Sequence, residues 1–256
     1  MTPAEYVVAG LAALAAGLVN ALAGGGTLIS FPVLLALGVP PVTANITNTV
    51  ALVPGYLGGT YAQRGDLVGQ GRRMRVLLPV AALGGVVGAG LLLVTPDSAF
   101  EVLVPFLILG AVVILALGDR VKQAVAARVS QHHDGRERLT GPAVGLFLAA
   151  IYGGYFGGGL GIIVLAVLGM VLVDTLTRVN ALKQCSSLVI NGVAAVVFLF
   201  SGHVLWMTAG VMLVCALLGG YLGGRVATRV PARVLQRIVL VIGAVVAVVY
   251  AARTYA

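Results

Sequence analysis

A chain of 256 residues with 60% hydrophobic and 9% charged residues and a mean hydropathy of +1.08 is not an ordinary soluble domain. In such domains about a quarter of residues are charged. The formal charge of +8 suggests nucleic acid only until the basic residues are located. They lie in short loops between apolar runs, the positive-inside pattern that sets membrane orientation.

Apolar runs of about 20 residues mark membrane-spanning helices. In chain order they predict spans at Ala4–Ala23, Val42–Gln63, Met74–Val94, Phe100–Leu117, Val179–Phe200, Leu205–Gly224 and Val234–Ala252. The first lacks a basic leader and exceeds a usual signal-peptide stretch, so it is read as a span. Behind it comes the triplet Gly24-Gly25-Gly26. Each glycine destabilises a helix interior by about 1 kcal/mol, so three together break it. The following segment, Thr27–Leu37, covers about 16 Å as a helix and is too short to cross a core of about 30 Å.

The second half repeats this order. Gly157-Gly158-Gly159 follows another apolar helix and precedes the short segment Leu160–Val173. Leu83-Gly84-Gly85-Val86-Val87-Gly88 answers Leu218-Gly219-Gly220-Tyr221-Leu222-Gly223, and Thr95-Pro96 answers Val230-Pro231. The final spans share Gly110-Ala111-Val112-Val113 and Gly243-Ala244-Val245-Val246. The chain therefore divides into a first repeat (1–118), a polar linker (119–140) and a second repeat (141–256). The linker pair His132-His133 is read as solvated, and no Cys/His cluster suggests a metal.

Charge bias decides the topology. If each broken segment crossed once, Arg178, Lys183, Arg225, Arg229, Arg233 and Arg237 would lie opposite the other basic residues. If each enters and returns to its own side, every Lys and Arg except Arg253 faces the cytoplasm. The second arrangement inverts one half relative to the other. The expected fold is an all-α polytopic membrane protein of two inverted-topology repeats, with about eight full spans and two short re-entrant segments. Paired helix breaks in such repeats point to a transporter's substrate site.

Broken helices present backbone N–H groups that attract anions, here Gly26–Leu28 and Gly159–Gly161. Polar side chains inside spans add candidate contacts. Asn20 precedes the first triplet; Asn45, Thr47, Asn48 and Thr49 open the next span. Asn180, Lys183, Gln184, Cys185, Ser186 and Ser187, with Asn191 further in, form the matching opening. Tyr152 and Tyr155 stand before the second triplet. The expected substrate-binding set is Asn20, Gly24, Gly25, Gly26, Thr27, Asn45, Asn48, Thr49, Tyr155, Gly157, Gly158, Gly159, Asn180, Lys183 and Gln184. Each has a structural alternative: close helix packing for the glycines, interhelical hydrogen bonding for the amides, snorkelling for Lys183. Arg178 follows Asp174 by four residues, which predicts a helix-surface ion pair. No Asp or Glu lies deep within a span, so a carboxylate proton relay is not expected.

The stretch Asn20-Ala21-Leu22-Ala23-Gly24-Gly25-Gly26-Thr27-Leu28, with Phe31-Pro32 and Asn45-Ile46-Thr47-Asn48-Thr49, resembles the sulfite exporter TauE/SafE family. Tyr155-Phe156-Gly157-Gly158-Gly159-Leu160-Gly161 and Asn180-Ala181-Leu182-Lys183 resemble its second half. Leu160 departs from the first half's Thr27, so a hydroxyl contact there is one-sided. The resemblance covers nearly the whole chain. It implies a bacterial or archaeal inner-membrane permease of duplicated design, associated with sulfite, sulfonates and related sulfur-containing anions.

The expectation is alternating-access transport of a small anion in a multi-pass inner-membrane protein. The linker is expected in the cytoplasm, with no cofactor, no nucleic acid and a homodimer as a possible assembly. Two other readings stay open: a channel-like or accessory subunit, and an intramembrane enzyme using Cys185. The enzyme lacks a base, since no histidine lies within a span.

Overall fold

In a computed structural model, residues 1–22, 25–129, 139–172, 174–226 and 241 are described. The described chain is helical: α1 (Pro3–Leu22), α2 (Thr27–Ala36), α3 (Pro41–Ala62), α4 (Gly71–Val94), α5 (Asp97–Ala116), α6 (Gly118–Val129), α7 (Thr140–Tyr155), α8 (Leu160–Gly169), α9 (Leu176–Leu199) and α10 (Trp206–Val226). Among the described residues there is no strand. The expected spans and both short segments fall on helices, except Val234–Ala252, which lies outside the described residues.

Five of these helices are long and apolar enough to cross a membrane: α1, α4, α5, α9 and α10. The expected eight full spans are not reached among the described residues. Helix α3 has 22 residues but carries a polar stripe, and α7 has 16, about 24 Å of helix.

The helices pair across the two halves. α1 packs on α10 and α7 on α4; α3 packs on α10 and α9 on α4. Glycines permit these approaches, because small residues let backbones touch where lipid offers no hydrophobic drive. A Cβ at Gly219 would overlap the Leu14 carbonyl oxygen of α1. At the corresponding Gly84 it would stand 2.6 Å from the Phe147 carbonyl oxygen of α7. At the centre α3 and α9 lie side by side, running in opposite directions. Gln63, just past the end of α3, accepts a hydrogen bond from Asn180 near the start of α9 (2.7 Å), and Gln184 rests on Gly59. Outward faces of α4, α5 and α10 expose apolar side chains such as Leu83, Phe106, Leu109 and Leu218, as a lipid-facing surface requires.

The linker begins as a helix. α6 carries Val121 and Val125 on one face, and Val125 is buried against Gly169 of α8.

At the basic end, the loop before α9 is clamped to the start of α4. Asp174 bonds Arg178 four residues on (3.0 Å), and it also binds Arg73 from the other half. Gln70 Nε2 donates to the Arg178 carbonyl (3.0 Å), and Arg178 Nη1 donates to the Val68 carbonyl (3.0 Å). Partial burial raises the Asp174 carboxyl, but hydrogen bonds from Arg73 and Arg178 outweigh it and hold the group below its ordinary value of 3.8. Its contribution is therefore complete above that value and lost as pH falls through the lower, folded-state value. Asp174→Asn should destabilise the protein by about 2 kcal/mol at pH 7, the scale of a charge-assisted hydrogen bond. Thermal unfolding in detergent across pH 3–7 checks this: the wild-type advantage should shrink below about pH 4.

Candidate functional site

Each triplet lies between two helices, and at its described positions glycine is required for specific reasons. Gly25 (φ +99°), Gly157 (+77°) and Gly159 (+72°) adopt left-handed backbone that side chains disfavour. A Cβ at Gly26 would overlap the Ala16 carbonyl oxygen. Gly24 lies outside the described residues.

A side chain from the preceding helix pins each turn. Asn20 Oδ1 accepts the Gly26 N–H (2.7 Å), and the Tyr152 hydroxyl donates to the Gly158 carbonyl (2.6 Å). The turns consume some of the expected anion donors. Leu28 N–H donates to the Gly25 carbonyl, and Leu160 N–H to that of Gly157. Among the described residues this leaves the N–H groups of Gly159 and Gly161 without a backbone acceptor.

The two turns come together. Gly25 lies beside Leu115 of α5, while Gly158 and Gly159 lie beside Ala111 and Ile114 on the preceding turn of that helix. Phe31 of α2 meets Phe156 of the second turn edge to face, with centroids 5.3 Å apart.

The second turn also abuts the polar face of α9. Asn180, Lys183, Gln184, Ser187 and Asn191 recur at helical spacing on one stripe. Gln184 sits beside Gly59, which also neighbours Ala21 at the first triplet. Asn191 Oδ1 lies 3.8 Å from the Cβ position of Gly157. These two positions are about 10 Å apart along the helix axis, with Ser187 between them.

Nine buried side-chain polar atoms among the described residues lack a hydrogen-bond partner, and all are confined to three elements. They are Asn20 Nδ2 on α1; Asn45 Oδ1, Asn48 Oδ1, Thr60 Oγ1 and Gln63 Nε2 along and just past α3; and both Gln184 amide atoms, Ser186 Oγ and Ser187 Oγ on α9. Each such atom costs about 1–3 kcal/mol if left unpaired. The seam between α3 and α9 is thus a polar lining that demands partners. α9 also buries Lys183, which has no carboxylate partner among the described residues. The described carboxylates lie at helix ends or in loops. The set mixes three amide N–H donors, three amide oxygens and three hydroxyls. It can therefore meet a polar solute with both donors and acceptors, and its amide and hydroxyl hydrogens are available to an anion.

The expected residues are not all brought to one point. Asn20, Gly25, Gly26, Thr27, Gly157, Gly158 and Gly159 make up or adjoin the two turns, while Gln184 stands against Gly59 of α3. Asn180 stands at the basic end of the seam, tied to Gln63. Asn45 stands toward the other end, donating from Nδ2 to the Tyr155 carbonyl (2.8 Å). Asn48 and Thr49 are buried on α3 near it. The Tyr155 hydroxyl is turned away, toward Thr95 Oγ1 (3.4 Å), with its ring against Phe100. Tyr152 is the tyrosine that meets a triplet. Gln63 and Thr60 carry no signal in the sequence as contacts, while Ser187 is named in the polar opening of α9 but falls outside the expected binding set.

Among the described residues no group of His, Cys, Asp and Glu is arranged to hold a metal ion. Cys185 is buried within α9, and His203 lies beyond the end of that helix in the loop before α10.

Asn20→Ala should cost about 1 kcal/mol of stability through the lost cap on Gly26. It should also lower anion affinity by loosening the first turn. Melting curves with and without a candidate anion would separate the two effects.

The profile of the sulfite exporter TauE/SafE family matches residues 9–250. The chain is similar to a probable membrane transporter protein of Haemophilus influenzae, 28% identical over 208 residues, covering 80% of this chain and 78% of that protein. It is 30% identical over 223 residues to the probable membrane transporter protein ORF9 of a Sinorhizobium species, covering 82% and 78%. It is 26% identical over 221 residues to the probable membrane transporter protein YfcA of Escherichia coli, covering 81% and 75%. No solved structure matches.

Proposed function

The chain belongs to the sulfite exporter TauE/SafE family of membrane transporters, and on that premise we propose that it carries a small sulfur-containing oxyanion, sulfite or a sulfonate, by alternating access. The observation that carries this reading is the concentration of partnerless buried polar atoms along α3 and α9, with Asn20 Nδ2 beside the first glycine turn. An oxyanion there would accept hydrogen bonds from Asn20 Nδ2, Gln184 Nε2 and Ser187 Oγ. Amides of the turns would add to these, with Lys183 supplying compensating charge.

The reading includes two inverted repeats of four spans and one broken segment each, seated in the inner membrane with the linker in the cytoplasm. Its support is reciprocal packing: α1 on α10 answers α7 on α4, and α3 meets its counterpart α9 head to tail. Rocking of the halves about that seam would expose the site to each side in turn.

Ligand-dependent melting of the purified protein tests the binding step. A ligand at a hundred times its Kd stabilises the native state by about 2.7 kcal/mol. Sulfite or methanesulfonate should raise the melting temperature, chloride and uncharged solutes should not, and Gln184→Leu should abolish the shift. Equal shifts for all solutes would reject the oxyanion reading.

A further inference from the structure

On the outer face of the bundle, α3 and α10 leave between them a groove of about 480 Å³, lined by Leu57, Gly58, Tyr61, Leu217, Leu218 and Tyr221. Its walls present apolar atoms only. Gly58 forms the floor because the helices run parallel and close there: its Cβ would lie 3.2 Å from the Leu217 carbonyl oxygen and from the Tyr221 nitrogen. Leu57, Tyr61 and Leu218 are more than half exposed, so the groove opens to the surroundings of the bundle.

The groove's end is charged. The Arg64 guanidinium lies over the Tyr61 ring at 4.1 Å, and that of Arg225 over the Tyr221 ring at 4.6 Å. Both rings line the groove, and the parallel course of α3 and α10 brings both arginines to its basic end. Stacking engages the face of a guanidinium and leaves its edge N–H groups for an anion, of which Arg64 uses one on the Tyr61 carbonyl (3.1 Å). Among the described residues neither arginine has a carboxylate partner.

We propose that this groove binds an anionic phospholipid, one acyl chain lying between Leu57 and Leu218 and the headgroup phosphate held by Arg64 and Arg225. The charges select this occupant over a second copy of the chain. A two-fold dimer about the groove would bring the arginines of both copies together at one membrane surface, where they repel. An anionic headgroup neutralises them instead, and the cytoplasmic leaflet is where such lipids concentrate. The proposal is independent of what the central seam carries.

The test uses the purified full chain, exchanged into equal amounts of phosphatidylglycerol and phosphatidylcholine, with retained lipid read by native mass spectrometry. Each arginine should contribute about fivefold, so wild type should favour phosphatidylglycerol by about 25-fold. Arg225→Gln should reduce the preference to about fivefold, and Arg64→Gln/Arg225→Gln should bring it to parity. Leu218→Trp, which fills the groove, should lose both lipids. Parity in wild type, or a preference unchanged by Arg225→Gln, overturns the proposal. So does disulfide-linked dimer formed efficiently through Leu218→Cys in lipid.

Discussion

Lys183→Met should raise the melting temperature of the ligand-free protein and abolish its transport. Lys183 is buried in α9, its neighbouring cation is Lys122, and no described carboxylate pairs with it. Removing an ion from water carries a penalty of several kcal/mol, and replacing buried charge by an apolar residue often stabilises by about 1–4 kcal/mol. A buried amine carries a desolvation cost whichever form it takes, and a bound anion would offset it. The anion-bound protein recovers the penalty, so the variant loses affinity by about a hundredfold, or about 3 kcal/mol. The two readouts move in opposite directions, which distinguishes a substrate contact from a structural lysine. A variant with a lowered melting temperature and intact uptake would return Lys183 to the snorkelling role.

Gly219→Ala should loosen the α1–α10 crossing and lower the melting temperature. The added methyl would overlap the Leu14 carbonyl oxygen, a backbone atom that moves only if α1 moves. That contact belongs to the α1–α10 crossing, which joins the two halves, and overpacking of this kind costs about 3 kcal/mol. Gly210→Ala, on the same helix but with nothing within 4 Å of its Cβ position, is the matched control. There the loss of backbone freedom in the unfolded chain gives a gain of about 0.5–1 kcal/mol. Melting of both variants in one detergent checks the contrast; equal melting temperatures would refute the close crossing.

Much of the architecture was legible because a bilayer imposes simple rules. Span length follows from hydrocarbon thickness, and Gly24-Gly25-Gly26 and Gly157-Gly158-Gly159 mark breaks whatever surrounds them. The Asp174–Arg178 pair was legible because it is local in sequence. Arg73, the second partner of Asp174, comes from 101 residues away, and no spacing rule reaches it. The same holds for Asn180 with Gln63 and for Asn45 with the Tyr155 carbonyl, separated by 117 and 110 residues. Tyr152 and Tyr155 were equivalent as sequence, since both precede the triplet. The helix directs one back over the turn and the other toward Thr95. The linker's low hydropathy concealed α6, whose docking depends on one valine meeting Gly169.

Uptake of labelled sulfite and methanesulfonate into liposomes holding the purified protein tests the central claim most directly, with wild type and Gln184→Leu/Ser187→Ala compared at equal incorporation. The account predicts saturable uptake of at least one of these anions by wild type, and its loss in the variant. Uptake that does not saturate, or that survives loss of both seam side chains, would contradict a carrier site between α3 and α9.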